Sequence, residues 1–235
     1  MRAEDWSDRI GDLVRESMQS DTYRRYYAME LTVARAAIDI TQTGLFIKHR
    51  RDCWPQVAAN CPESSVKQKI LEHEYEEIIE DEYSAYGHLY LLIRQAEAVG
   101  VPPEEALTTA PLPTTRAVLY AYGWIMRQKS WQEGLAALMA TERTNDNRLL
   151  DDLGGGHSFR AAKKWTSELG LTMEQVPHDA AHSTADEKHS DMFLGVLEEL
   201  VPPEREADVL QAVRESLELR ELMYRGITEA MQATS

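Results

Sequence analysis

Cysteine is nearly absent from this chain: Cys53 and Cys61 are its only two, with seven residues between them. Two cysteines build no disulfide framework, and that spacing is not the short knuckle of a zinc site. Both are expected to be reduced thiols of a cytosolic protein. Positive charge is scarce as well. The 25 Lys and Arg stand against 40 Asp and Glu, a formal net charge of −15. A surface of that sign repels phosphate backbones and anionic lipid heads, so neither nucleic acid nor a membrane surface is an expected partner. No stretch approaches the roughly 20 uninterrupted apolar residues of a membrane span. The opening from Met1 to Trp6 lacks the apolar region of a secretory signal, and the cytoplasm is the expected compartment. Alternating β-branched runs bounded by turns, the mark of strands, do not occur. Gly154, Gly155 and Gly156 follow no strand and precede no Gly-Lys-Ser/Thr, so they form a loop and not a phosphate cradle.

What the chain does have is helical periodicity, punctuated by Pro and Gly. Its 235 residues, 43% hydrophobic and 28% charged, suffice for one domain with a sizeable core. The pattern predicts a helix over Glu4–Met18 and a second from Asp21, a suitable N-cap, to about Arg51, with Pro55 restarting a short turn. A long third helix opens near Pro62 and runs to Gly100. A short acidic helix follows Pro102 and Pro103. Further helices are expected over Thr114–Arg127, Trp131–Asp152, Phe159–Leu169, Pro177–Leu200 and Glu204–Met231. No linker long enough to divide the chain appears, and the expected fold is a single-domain all-α bundle over residues 1–235.

Three of the seven histidines fall close together in the stretch that begins at Pro177. The pattern is His182-x3-Asp186-x2-His189. At about 100° per residue, positions i, i+4 and i+7 lie within about 60° of each other. Imidazoles and a carboxylate on one helical stripe form a ligand set for iron, manganese or zinc. The competing explanation is a solvated polar face, since Glu187, Lys188, Ser190 and Asp191 surround them. His88 sits among Tyr86, Leu89, Tyr90, Leu91 and Leu92, where a lone His is usually a hydrogen-bonded core residue. On a continuous helix, however, Asp81 and Glu77 fall within about 20° of its direction. Glu142 ends the apolar run that begins at Gly134 and is a third candidate donor. These candidates lie on three separate helices, which a bundle can gather around one cavity. Ferritin-like di-iron bundles need Glu-x-x-His from two helices, and that motif precedes none of the histidines, which directs the reading to a different helical iron scaffold.

In this order, Asp81 before His88, then Glu142, then His182-x3-Asp186-x2-His189, the chain resembles the haem-oxygenase-like di-iron oxidases and oxygenases, relatives of thiaminase II and pyrroloquinoline-quinone synthase. Trp54-Pro55, Cys61-Pro62, His88-x2-Leu91-Leu92 and Glu97-Ala-Val-Gly100 are similar too, and the likeness spans about residues 20–195. It implies a haem-oxygenase-like bundle holding two Fe(II)/Fe(III) ions on Asp81, His88, Glu142, His182, Asp186 and His189. Glu77 is the alternative to Asp81, because the family usually has Glu there and Asp is one methylene shorter. The same resemblance implies O2-dependent oxidation of a small molecule in natural-product biosynthesis, by N-oxygenation, desaturation or C–C cleavage, with a homodimer as the conceivable assembly. Thiaminase II relies on a cysteine in the second half of its bundle, and no cysteine follows Cys61 here. A haem oxygenase uses an N-terminal proximal His, and the first His is His49. An amino acid or a derivative is the expected substrate, with Tyr27 and Arg24 as candidate contacts among Tyr23, Tyr26, Tyr86, Arg25 and Arg160. The rival readings are a fatty-acid-cleaving di-iron oxidase and a metal-free binding or regulatory protein of the same fold.

Overall fold

The computed structural model describes residues 1–234, with the side chains of 184–188 excepted. The chain is all-helical among these residues, and the departures from the expected helices have local causes. Helix α1 (Ala3–Met18) buries Trp6, Ile10, Val14 and Met18 along one stripe. The stretch expected as one helix from Asp21 is two, α2 (Asp21–Ala28) and α3 (Val33–Asn60). Met29 is extended, and Thr32 offers α3 a cap by accepting a hydrogen bond from the Arg35 amide at 3.3 Å. Pro55 does not restart the chain. It lies inside α3, which continues past it at the cost of one ladder bond.

The long third helix is also broken. Helix α4 (Ser64–Ile78) and α5 (Gly87–Glu97) are separated by residues 79–86. Side chains there compete with the helical ladder. Asp81 Oδ1 accepts from the amides of Tyr83 and Ser84 at 2.9 and 2.8 Å, and Ser84 Oγ donates to the Gly87 carbonyl at 2.9 Å. Gly87 enters α5 at φ +70°, where a Cβ would stand 2.5 Å from the Ile78 carbonyl carbon.

The second half runs through α6 (Pro103–Ala106), α7 (Pro113–Gln128), α8 (Trp131–Arg143), α9 (His157–Leu169), α10 (Pro177–Asp191), α11 (Leu194–Leu200) and α12 (Glu206–Gln232). A capping box between Ser130 and Glu133 starts α8. Every residue from Glu133 to Arg143 is buried, so α8 is wrapped on all sides. Helices α12, α3 and α10 pack against it, and α12 also lies along α7. The site forms where α3, α4, α5 and α10 close over the C-terminal end of α8. Among the described residues, no helix is long and apolar enough to cross a membrane.

Candidate metal centre

Helix α4 turns a single stripe inward: Val66, Ile70, His73, Glu74 and Glu77. The spacing that buries Val66 and Ile70 therefore delivers His73 and Glu77 to the core. Helix α5 begins with His88, α8 contributes Glu142 near its end, and α10 contributes His182 and His189. All six are buried. Burying an ion costs several kcal/mol, more than a buried Leu or Ile side chain returns, so such a cluster needs internal compensation or a ligand.

The donors converge on Glu77. Its Oε1 lies 3.1 Å from His88 Nδ1, 3.8 Å from His182 Nε2 and 3.9 Å from His189 Nδ1. Two groups of three donors have the mutual distances needed to hold an ion, Glu77 with His88 and His182, and Glu77 with His73 and His189. Glu77 belongs to both. Glu142 Oε1 stands 3.2 Å from His73 Nε2, beside the second group.

The surroundings fix how these groups face. His182 Nδ1 meets the His178 carbonyl at 2.9 Å, and this contact directs Nε2 toward Glu77. His88 Nε2 meets Asp81 Oδ2 at 2.9 Å, which turns Nδ1 to Glu77 and to His182 Nε2, 3.2 Å away. His189 Nε2 meets Glu76 Oε2 at 2.8 Å. Each of these imidazoles thus has one nitrogen held from behind and the other facing inward, the arrangement common to metal-ligating histidines. His73 Nε2 is buried, and its 3.2 Å contact with Glu142 Oε1 lacks the geometry of a hydrogen bond.

Two arginines of α3 hold the acids in charged form. Arg51 Nη1 lies 2.6 Å from Glu77 Oε2 and 3.2 Å from Glu74 Oε1, and Arg50 Nη2 lies 2.6 Å from Glu142 Oε1. Burial opposes ionisation of both carboxyls, but Arg51 and His88 at Glu77, and Arg50 and His73 at Glu142, outweigh it and keep both well below the usual range. At His88, burial favours the neutral ring, and Glu77 and Asp81 together reverse this to a pKa of about 9. Buried imidazoles and ionised carboxylates, with His73 Nε2 in no well-formed hydrogen bond, fit a divalent iron ion in donor type.

The structure therefore gathers Glu77, His88, Glu142, His182 and His189 from the sequence candidates. Asp81 stands behind His88, on the nitrogen away from the cluster. Asp186 lies outside the described residues. His73 escaped the sequence reading, although its place on the Val66–Ile70–Glu77 stripe marked it. A cavity of about 50 Å³ adjoins the cluster, lined by Glu77, Glu142 and His182 on one side and by His157, Arg220 and Tyr224 on another. Tyr27 stands behind this wall, its hydroxyl 2.6 Å from His157 Nδ1 and its ring under Arg160. Arg24 is directed away, 68% exposed and paired with Asp21 on the outer face of α2. Both cysteines are buried free thiols on α3 or just beyond it, and burial lifts Cys53 to about 12.

Among solved structures, the fold is similar to a domain of unknown function with a haem oxygenase-like fold from Shewanella denitrificans (TM-score 0.77, 20% identity, 99% of this chain and 94% of that one). It is also similar to a CADD-like protein of unknown function from Nostoc punctiforme (0.77, 13%, 97% of each chain). A third likeness is to a TenA homologue from Pseudomonas syringae pv. tomato (0.68, 12%, 96% and 92%). At these identities the likeness is one of fold, and the fold is haem-oxygenase-like. No curated protein matches the chain. The profile of the iron-containing redox enzymes matches residues 48–221, which hold every donor of the cluster. With most of its length and every donor of the cluster inside that match, the chain belongs to the iron-containing redox enzyme family.

Proposed function

We propose that the protein is a non-haem di-iron oxidase or oxygenase that uses O2 to oxidise a small polar metabolite, an amino acid or a derivative of one, in natural-product biosynthesis. The observation that carries this reading is the sharing of Glu77 between two groups of donors. Arg51 holds Oε2 and leaves Oε1 facing both groups; a carboxylate placed between two sets of donors could serve two ions, whereas a one-metal site needs no shared acid. Glu77 with His88 and His182 would hold one iron. Glu77 with His73 and His189, next to Glu142, would hold the other. Asp186 remains a candidate donor from its sequence spacing alone. When bound, the iron pair supplies the electrons and the binding position that O2 chemistry requires.

The protein's own residues prepare the site. Arg50 and Arg51 keep Glu142 and Glu77 ionised, so no proton has to leave them before a cation binds. Asp81 and the His178 carbonyl orient His88 and His182 and turn their inner nitrogens toward Glu77. Burial of every described donor excludes bulk water from the centre. The adjoining cavity is lined mainly by polar groups, among them Thr43, Asn145, Ser158 and Asp179, which suits a polar metabolite better than a fatty-acid chain needing a long apolar tunnel.

Anaerobic titration with Fe(II), followed by elemental analysis and calorimetry, tests the reading. The expected result is about two irons per chain, with the fold retained in the metal-free form because a bundle of this size has its own core. A chain that takes up one iron or none would overturn it, and none at all would favour a metal-free binding protein of the same fold.

A further inference from the structure

Among the described residues, Arg220, on α12, is the one cation on the cavity wall without an acidic partner. It is 6% exposed. Its Nη1 donates to the Tyr23 hydroxyl at 3.0 Å and touches Met18 Sδ at 3.8 Å, and its guanidinium lies 5.7 and 5.1 Å from the ring centres of Tyr23 and Tyr224. Among the described residues, no carboxylate reaches it. The neighbouring cations are satisfied, Arg50 by Glu142 and Arg51 by Glu74 and Glu77. The tyrosines do not supply the missing negative charge, since burial raises Tyr23 to about 12 and Tyr224 well above its ordinary value. Nor does His157, which bonds Tyr27 and Tyr224 through its two nitrogens. An arginine buried without a counter-ion is costly to keep unless an anion arrives.

The same wall holds one acid without a cation. Asp179 is buried, and its Oδ2 accepts from Gln95 Nε2 at 2.7 Å, whereas Glu77 and Glu142 are already paired with arginines. Resting on the reading of this cavity as the substrate site, we propose that Arg220 anchors the carboxylate of an amino-acid substrate and that Asp179 accepts from its ammonium group. An amino acid satisfies both groups at once. A fatty acid would leave Asp179 without a partner, and an amine would leave Arg220 without one.

Calorimetric titration of the metal-free chain with each proteinogenic L-amino acid, with the amide of whichever binds, and with octanoate tests this. At least one amino acid is expected to bind, and its amide should bind roughly tenfold or more weakly, the usual scale for losing a charge-assisted bidentate contact. Arg220→Gln should weaken the acid about tenfold and leave the amide unchanged. The variant should melt no lower than the parent, because it removes an uncompensated buried charge. Iron uptake should be unaltered, since Arg220 touches none of the donors. Equal binding of acid and amide, octanoate alone binding, no binding by any amino acid, or a lowered melting temperature with undiminished binding would each overturn the proposal. Should Arg220→Gln fail to fold, Arg220→Lys keeps the charge without the planar fork, and the acid–amide comparison on the parent chain decides independently. Failure to load iron would sink the di-iron reading and leave this metal-free titration standing on its own result.

Discussion

At the scale of single residues, the site separates donors from the groups that orient them. Glu77 and Asp81 both contact His88, but on opposite nitrogens. Glu77 faces three imidazoles, while Asp81 is tied to the amides of its own loop. Glu77→Gln is therefore expected to remove most iron binding, because it changes the acid common to both groups. Asp81→Asn should keep the stoichiometry and weaken affinity by about 10–100-fold, as losses behind a ligating histidine do. His73→Ala should reduce uptake to about one iron per chain while sparing the group built on His88 and His182. Elemental analysis of the three variants after anaerobic loading gives the ranking. A greater loss from Asp81→Asn than from Glu77→Gln would reverse the assignment, and full loading of His73→Ala would remove His73 from the centre.

At the scale of the helix, the decisive feature is the break between α4 and α5. A continuous helix would align His88 with Asp81 and Glu77 through periodicity alone. The observed chain reaches the cluster by folding back, so that Glu77 approaches from the end of one helix and His88 from the start of the next. Gly87 permits this turn at φ +70°, with the Ile78 backbone too close to admit a side chain. Gly87→Ala should cost at least about 1–2 kcal/mol for the left-handed backbone alone, and the clash adds to it. It should also weaken iron binding, because His88 is the next residue. Denaturant unfolding of the metal-free variant and Fe(II) titration of the same protein measure the two effects. Parent-like values in both would show that the turn does not position the histidine.

At the scale of the whole molecule, the interior holds acids whose ionisation burial opposes. Asp39 is raised to about 6, chiefly by desolvation, and bonds the Tyr26 hydroxyl at 2.6 Å. Asp179 is raised to about 7 by the same cause. A carboxyl whose folded value exceeds its unfolded value of about 3.9 binds more protons in the native state between the two. Its contribution is full below the unfolded value and lost as pH rises through the folded one. Glu77 and Glu142 have the opposite sign, but their window lies below the usual carboxylate range. Asp179→Asn keeps an acceptor for Gln95 and removes the titration. Its melting temperature, relative to the parent, should therefore rise steadily between about pH 5 and about pH 8, as followed by thermal melts of the metal-free proteins. A constant difference across that range would mean that Asp179 is already ionised in the empty cavity.

The sequence by itself determined the helical class, the inward placing of His182 and His189 on α10 and the apolar run that buries Glu142, because these depend on periodicity within one segment. The residue order also sufficed for the resemblance to the iron family. Only the tertiary structure decided the rest. It broke the expected helices around Thr32 and Asp81, which offered the backbone alternative partners, split the one expected over Pro177–Leu200 and ended the one from Trp131 at Arg143. It brought His73 to the donors and put Arg220 of α12, with no arginine of α2, among the described residues of the cavity wall. His73 was marked only by its place on the buried stripe of α4, and Arg220 had no nearby sequence partner to betray it. Their significance comes from contacts across helices far apart in the chain, and from the cost of burying charge, which exists only once the bundle has closed around it.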